Sequence, residues 1–505
     1  MTDRLAKHQP HAAPQGASSA RAVNHRPRLV LAGLSGGAGK TILTLGICRA
    51  LAVAGLRVRP FKKGPDYIDA AWLGLAAGRD ATNLDPFLLP EARLPSLFLE
   101  KSRDVDISVI EGNRGLFDGM DLAGSCSTAA LARTLLAPVV LILDATKMTR
   151  TAAAIVAGVA GFEPGLHLAG VVVNRTAGPR HRDIVSGAIE QLAGVPVLGL
   201  LPKIFENPIP ERHMGLVSNR EHGAVDAILD NLAAVIRQHV DLDRLLAIAR
   251  SAPPLPDSTA PVAAISGPVP AAGPAPVIGV VRDAALWFYY PENLEALERA
   301  GARLAFVSLL DDAPWPDLDG LYLGGGFPET QVEGLAANTA TRCRVKTLAA
   351  AGLPIYAECG GFMYLCQGLD MDGRTHAMAG VFPVTTTLCA RPQGLGYSLA
   401  RVVRANPYHP VGTVLRGHEF HYSRCQAALG ACSGEAPGLP GPEAFALTME
   451  RGVGMLDGRD GLLFKNTFAA YTHIHAEGAP HWAMNFVNTA RGYAKAKMPP
   501  AAGRG

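Results

Sequence analysis

Two α/β domains, each a doubly wound sheet, are predicted for this chain of 505 residues. Three observations predict them. Short runs rich in Val, Ile and Leu recur at a spacing that leaves room for crossover helices. They alternate little, as strands buried on both faces of a parallel sheet do. From Ser251 to Pro276 the composition shifts to Pro, Ala, Gly and Ser, the signature of a linker. The length, finally, exceeds what one hydrophobic core serves.

Taken in order, residues 1–27 are polar and rich in His, Ala, Arg and Ser. They lack the apolar stretch of a secretory signal and are expected to form a disordered tail. Strands are then predicted at LVLAGL (29–34), ISVIEG (107–112), PVVLILDA (138–145), LAGVVVN (168–174) and VPVLGLL (195–201), which places a first domain at 28–250. After the linker, 251–276, a second domain at 277–495 opens with VIGVV (277–281), RLAFVSL (303–309), GLYLGGG (320–326) and LPIYAEC (353–359).

Composition excludes several classes. Apolar content of 48% with 18% charged residues suits a packed enzyme rather than a disordered or fibrous chain. A formal charge of +3 is small for this size and argues against a nucleic-acid or membrane-surface binder. No apolar run reaches the length of a membrane span, about eighteen residues. The eight cysteines are scattered and form no CxxC pair, which argues against a zinc ribbon and for reduced thiols in a cytoplasmic setting.

The first predicted strand runs into GLSGGAGKT, Gly33 to Thr41, and then into a helical pattern. Strand, Gly-rich loop, Lys-Thr and helix are the order a phosphate-binding loop requires. Gly36, Gly37 and Gly39 let backbone N–H groups turn onto phosphate oxygens at a helix N-terminus. Lys40 is expected to reach the β- and γ-phosphates of ATP, and the Thr41 hydroxyl to bind Mg²⁺. Leu34 stands where the strict pattern has glycine, and Ser35 where partition-type ATPases carry a lysine. PFKKGPDYID (60–69), read as a loop after a strand, adds Lys62 and Lys63 as nucleotide-binding cations and Asp66 as a metal ligand. The competing reading of the two lysines is a solvated charge pair. VIEGNRGLFDG (109–119) ends a strand in Glu111, where a nucleotide-bound Mg²⁺ is held in open α/β sheets. Asp85, Asp104 and Asp106 lack such a setting and are read as solvated charges.

AECGGFMYL (357–365) places a thiol, Cys359, between small residues at a predicted strand-to-helix turn. Such a turn exposes a nucleophile and leaves room for substrate; the competing reading is a buried cysteine beside a turn. A thiol needs a base, and AYTHIHAEG (470–478) supplies His473 and His475. The glycines 324–326 and the N–H of Gly360 are candidate oxyanion donors. His418 and His421 in GHEFHYS lack the further ligands a metal site needs.

Together the loop, KKGPDYID, EGxxGLFDG, GGGFPE, ECGGFMYL and RGHEFHYS resemble the cobyrinate a,c-diamide synthase family, over about Arg28 to Tyr493. The resemblance implies a dethiobiotin-synthetase-like ATP domain followed by a class I glutamine amidotransferase domain of the cobyric-acid-synthase type. It implies L-glutamine, ATP and a tetrapyrrole carboxylic acid as substrates, with a homodimer among the expected assemblies. Cys359 is then the glutaminase nucleophile. The family pattern of a histidine after Tyr-x favours His473 as its base, while His475-Ala476-Glu477 has His-x-Glu spacing and stays open. Asn113-Arg114 departs from the Val-Met frequent in members acting on cobyrinate, so sirohaem- and sirohydrochlorin-type acceptors remain alternatives. A ParA-like regulatory ATPase is the rival from another class; Ser35 and the entire second domain argue against it.

Overall fold

The computed structural model describes residues 25–203, 225–256, 274–427 and 440–497, with the backbone of the short strands Glu211–Arg212 and Gly215–Leu216. The tail before residue 25 and most of the linker lie outside the described residues.

The first sheet has seven strands: β1 (Arg28–Gly33), β2 (Val58–Lys63), β3 (Thr82–Leu84), β4 (Ile107–Gly115), β5 (Val139–Asp144), β6 (Leu168–Thr176) and β7 (Val197–Pro202). Their order is β3-β2-β4-β1-β5-β6-β7, and all pairs are parallel. The order reverses at β1, so its carboxyl end opens a crevice of the kind that binds ligands in such sheets. Two helices matter for the site: α1 (Lys40–Val53) follows β1, and α2 (Tyr67–Ala77) follows β2.

The segment expected as a loop at 60–69 is the end of β2, a three-residue turn and the start of α2. Lys62 and Lys63 are therefore strand residues, and both are buried. Pro60 and the lysines disguise β2 in sequence, but it runs between β3 and β4. Residues 251–256 also differ from a free linker. Ala252 and Leu255 are buried, and the Arg28 guanidinium donates to the carbonyl of Pro253 at 2.6 Å.

The second domain begins as predicted, with parallel strands Arg303–Val307, Val277–Val281, Gly320–Leu323, Ile355–Glu358 and Thr467–Ala470 side by side. The sheet then continues, antiparallel, through Arg459–Phe464, Phe445–Arg451, Gly394–Val402, Val414–His421 and His473–Ile474. This ten-stranded mixed sheet, with a separate four-stranded sheet after Cys366, is more β-rich than a purely doubly wound domain. Half-buried alternation, as in Gly394–Val402, suits antiparallel strands with one wet face.

Only Tyr471 and Thr472 separate Thr467–Ala470 from His473–Ile474, although these strands flank the antiparallel half on opposite sides. That half must curl back on itself. The curl returns Val414–His421 to the end of Ile355–Glu358, where Cys359 sits.

The two domains share a packed boundary. Phe288, Tyr290 and Phe327 join the hydrophobic cluster of the first domain. Arg93 clamps Glu477 at 2.7 and 3.1 Å, Thr82 donates to Glu292 at 2.8 Å, and Tyr397 donates to Asp85 at 2.6 Å.

Candidate active site

The phosphate loop joins β1 to α1. Gly37 and Gly39 have φ of 74° and 87°, a region open to glycine at little cost, so the loop curls over the helix N-terminus. The Lys40 ammonium folds back onto the Ser35 carbonyl at 2.7 Å. Burial lowers its pKa.

Below the loop the carboxyl ends of β2 and β4 bring charges together. The Thr41 hydroxyl donates to Glu111 at 2.8 Å and to Asp69 at 3.3 Å. The Lys62 ammonium donates to both carboxylates at 2.6 Å. Burial works against that ammonium, but Asp69, Glu111 and Asp66 outweigh it and raise its pKa. Burial raises the pKa of Glu111.

Asp66 has a different place from Asp69. Its carboxylate accepts the Asp69 N–H at 2.9 Å as the N-cap of α2, and it stands 3.9 Å from Lys62. Burial, and then the neighbouring Asp69, push its carboxyl up to about 7. Asp69 was missed in the sequence. Its signal was the Asp-x-x-Asp spacing at a helix start, which sets the second carboxylate one turn inside the first.

Magnesium takes oxygen ligands, usually one or two carboxylates with phosphate oxygens and water. Thr41, Asp69 and Glu111 offer that donor set, and Glu111 Oε2 is buried with no hydrogen-bond partner. Among the described residues no three His, Cys, Asp or Glu side chains form a ready-made metal cage. The arrangement fits an ion that arrives with a nucleotide.

Cys359 stands between strand Ile355–Glu358 and the short helix Gly360–Leu365 with φ 45° and ψ −99°. A left-handed φ is strained for a residue with a Cβ, and such strain gathers at functional turns. Its N–H is held by the Ala470 carbonyl at 2.7 Å, and Sγ lies 3.9 Å from the Phe420 carbonyl. Burial raises the thiol pKa, so thiolate formation requires a base.

His473 lies on the last strand of the curled half. Its Nδ1 is 3.5 Å from the Glu358 carboxylate. The same carboxylate accepts the Ile474 N–H at 3.2 Å and the Tyr322 hydroxyl at 3.2 Å. A Cβ on Gly325 would come within 2.4 Å of the imidazole, so only glycine lets that backbone pass. Tyr67 of α2 packs 5.5 Å from the His473 ring, and His418 stacks on it at 4.8 Å.

His475 turns elsewhere. Its Nε2 is 3.6 Å from Glu292, and Glu477 is taken by Arg93. The His-x-Glu spacing therefore builds the domain boundary, while Glu358 is the carboxylate beside His473. Of the expected oxyanion donors, the Gly324 N–H is committed to the Tyr289 hydroxyl at 2.8 Å. Gly360 opens a helix, where first-turn N–H groups have no intrahelical acceptor. His418 and His421 have separate partners, His421 stacking on Tyr471 at 3.7 Å.

Three residues read as solvated charges divide. Asp106 pairs with Arg57 at 2.9 Å on the surface. Asp104 is exposed. Asp85 is fully buried, accepts the N–H groups of Phe87 and Leu88 at 2.7 and 3.1 Å, and receives the Tyr397 hydroxyl across the boundary. The carboxylate that looked isolated in sequence joins the domains. Lys63 reaches the same tyrosine at 3.4 Å.

A cavity of about 430 Å³ lies between the domains. Lys63, Asp66, Tyr67 and Arg114 line it from the first domain, and His418 and His473 from the second.

Comparison with known proteins agrees with this division. Residues 29–217 match the family model described as CobQ/CobB/MinD/ParA nucleotide binding domain, and residues 277–481 that of the CobB/CobQ-like glutamine amidotransferase domain. The chain is 42% identical over 460 residues to the cobyrinate a,c-diamide synthase of Magnetococcus marinus, covering 90% of this chain and 96% of that one. Against the enzyme of that name from Syntrophotalea carbinolica the identity is 42%, over 92% and 99% of the two chains. Against that from Archaeoglobus fulgidus it is 40%, over 92% and 97%. At this identity and coverage, the chain belongs to the cobyrinate a,c-diamide synthase family, with its nucleotide-binding domain ahead of its glutamine amidotransferase domain.

Proposed function

We propose that this glutamine-hydrolysing ligase amidates the a and c acetate side chains of cobyrinate or hydrogenobyrinate, through an acyl phosphate. The single observation that carries the reading is the cavity between the domains, bounded by Lys63, Asp66 and Arg114 on the nucleotide side and by His473 on the thiol side. A carboxylate is a poor electrophile, and phosphorylation supplies a leaving group. Nitrogen released in one half is needed at the carbonyl formed in the other.

In the glutaminase half, His473 takes the proton of Cys359, and Sγ attacks the glutamine side-chain amide. The C–N bond breaks with return of the proton to nitrogen, ammonia leaves, and water hydrolyses the thioester to glutamate. Glu358 orients His473 through its carboxylate, 3.5 Å from Nδ1. The Gly360 N–H faces the developing oxyanion.

In the synthetase half, an acetate oxygen attacks the γ-phosphorus of ATP and ADP leaves. Ammonia then attacks the acyl carbon, inorganic phosphate leaves, and one proton is lost from nitrogen. Gly36, Gly37 and Gly39 cradle the phosphates, and Lys40 neutralises their charge. Mg²⁺, held by Thr41, Asp69 and Glu111, supplies further charge neutralisation when bound. Lys62 holds those carboxylates in place, Asp66 caps the helix that carries Asp69, and Lys63 faces the cavity. The span 28–250 serves as the synthetase unit and 277–495 as the glutaminase unit.

The test is incubation of the purified protein with ATP, Mg²⁺ and either glutamine or an ammonium salt. The acceptors are cobyrinate, hydrogenobyrinate, sirohydrochlorin and sirohaem, and mass spectrometry of the macrocycle counts the amides. Two amides on cobyrinate or hydrogenobyrinate are expected. Amides on the sirohaem-type acceptors alone move the assignment to them. ATP hydrolysis with no amide on any acceptor favours a regulatory ATPase.

A further inference from the structure

We propose that Arg451, on the glutaminase domain, is a specificity residue that grips a non-reacting carboxylate of the acceptor. The amidotransferase half then selects the acceptor as well as supplying ammonia. This inference rests on the amidation of a polycarboxylic acceptor proposed above.

The first observation is charge accounting in the cavity between the domains. Lys63, Arg114 and Arg451 line it, as do Asp66, Asp118 and Glu419. Each carboxylate is already engaged by backbone. Asp66 accepts the Asp69 N–H at 2.9 Å, and Asp118 accepts the Gly115 N–H at 2.9 Å. Glu419, fully within the fold, accepts the Val453 and Gly454 N–H groups at 3.1 and 3.2 Å. The cations are not matched in this way. Among the described residues, Lys63 forms no salt bridge; its ammonium donates to the Tyr397 hydroxyl at 3.4 Å, with Asp85 behind that tyrosine. The guanidinium groups of Arg114 and Arg451 are exposed and make no ion pair among the described residues. Two arginines from different domains thus face one cavity with their donors unspent. Arg pairs with carboxylates in a two-pronged geometry that Lys does not reproduce.

The second observation is that the backbone is shaped to present Arg451. The strand Phe445–Arg451 pairs with Gly394–Val402, and the register slips between Leu399 and Ala400, which face Arg451 and Met449. The extra residue is Glu450, whose side chain pairs with Arg401 at 2.6 Å. A bulge of this kind re-aims the side chain next to it. Immediately after Arg451 the chain turns at Gly452, φ 104°, and buried Glu419 fastens that turn. Glu450 is thereby spent on the sheet, and Arg451 is turned to the cavity. The same cavity is also lined by the flat or apolar groups Tyr67, Phe288, Met120 and Leu395, which suit a macrocycle carrying anionic arms.

The experiment compares wild-type protein with Arg451→Ala and Arg451→Lys on two acceptors, using ammonium as nitrogen source. One acceptor is the free polycarboxylic acid. The other has its non-reacting carboxylates converted to methyl esters. For the free acid, Arg451→Ala is expected to raise the KM by about tenfold, the size of one lost charged contact. Arg451→Lys should recover part of that loss. On the ester, wild type and Arg451→Ala should differ little. The KM for ATP and the rate of glutamine hydrolysis without acceptor should stay unchanged. Equal losses on acid and ester would overturn the proposal, because a structural effect does not depend on the acceptor's charge. An unchanged KM on the free acid would overturn it too. A wild-type protein that amidates no acceptor removes the parent reading, and this one with it. Wild-type turnover with an unaffected Arg451→Ala removes this one alone.

Discussion

The Glu358 carboxylate lies 3.5 Å from Nδ1 of His473, with both side chains buried and the strand of His473 tied to the same carboxylate through the Ile474 N–H. In the glutaminase mechanism proposed above, the residue next to Cys359 thus orients the histidine assigned as its base. Glu358→Gln keeps the shape and the Ile474 contact but replaces the carboxylate that faces Nδ1 of His473. Glutamine-dependent turnover should fall by about 10²–10⁴-fold, while ammonium-dependent turnover stays near wild type. Steady-state assays with the two nitrogen sources check this. Equal loss with both would assign Glu358 to folding.

Cys359→Ala should abolish use of glutamine and leave use of ammonium largely intact, because the phosphate loop is built from a separate sheet. In the wild type, burial raises the thiol pKa, so its reaction with iodoacetamide should keep accelerating past the ordinary thiol pKa of about 8.5. A plateau well below that pH would show a thiolate already formed at rest.

Lys40→Ala, Asp69→Asn and Glu111→Gln should stop amidation with both nitrogen sources. Asp66→Asn should lower it less, since an asparagine also caps a helix. A rapid assay is ATP hydrolysis across a Mg²⁺ titration. Asp69→Asn should shift the Mg²⁺ requirement upward more than Asp66→Asn does. The reverse order would return the metal role to Asp66.

Arg114→Met should weaken acceptor binding and change the preference between cobyrinate and sirohaem-type substrates, with the KM for ATP little altered. Loss of one charged contact costs on the order of 2 kcal/mol. Competition between two acceptors, read by mass spectrometry, gives the ranking directly. An unchanged ranking would make Arg114 a surface charge.

The Arg93–Glu477 pair should stabilise the domain boundary in a pH-dependent way. Burial pushes the Glu477 carboxyl up, but Arg93 outweighs it and holds the pKa below the usual value. Its contribution is complete above the ordinary glutamate pKa of about 4.3 and is lost as the pH falls through the lower folded value. Arg93→Ala should cost about 2 kcal/mol at neutral pH. The gap from wild type should shrink on acidification below that range. Chemical denaturation at a series of pH values measures both.

Sequence alone determined what is local. A Gly-rich loop between an apolar strand and a helix is read from neighbouring residues, because turn, helix start and backbone N–H groups are set within about ten positions. Cys359 was legible for the same reason, as small residues flank it at a strand-to-helix turn. Only the tertiary structure decided what depends on curvature and contact. His473 and His475 are two residues apart, and composition and spacing do not say which carboxylate each one meets. The curl of the antiparallel half carries one to Glu358 and the other to Glu292. Asp85 looked like a surface charge because its partner, Tyr397, is 312 residues away. Strand β2 was hidden by Pro60 and two lysines, whose burial is made tolerable by partners on other elements. Such pairings have no periodicity to betray them: a buried charge is compatible with its surroundings only once the fold has brought the opposite charge to it.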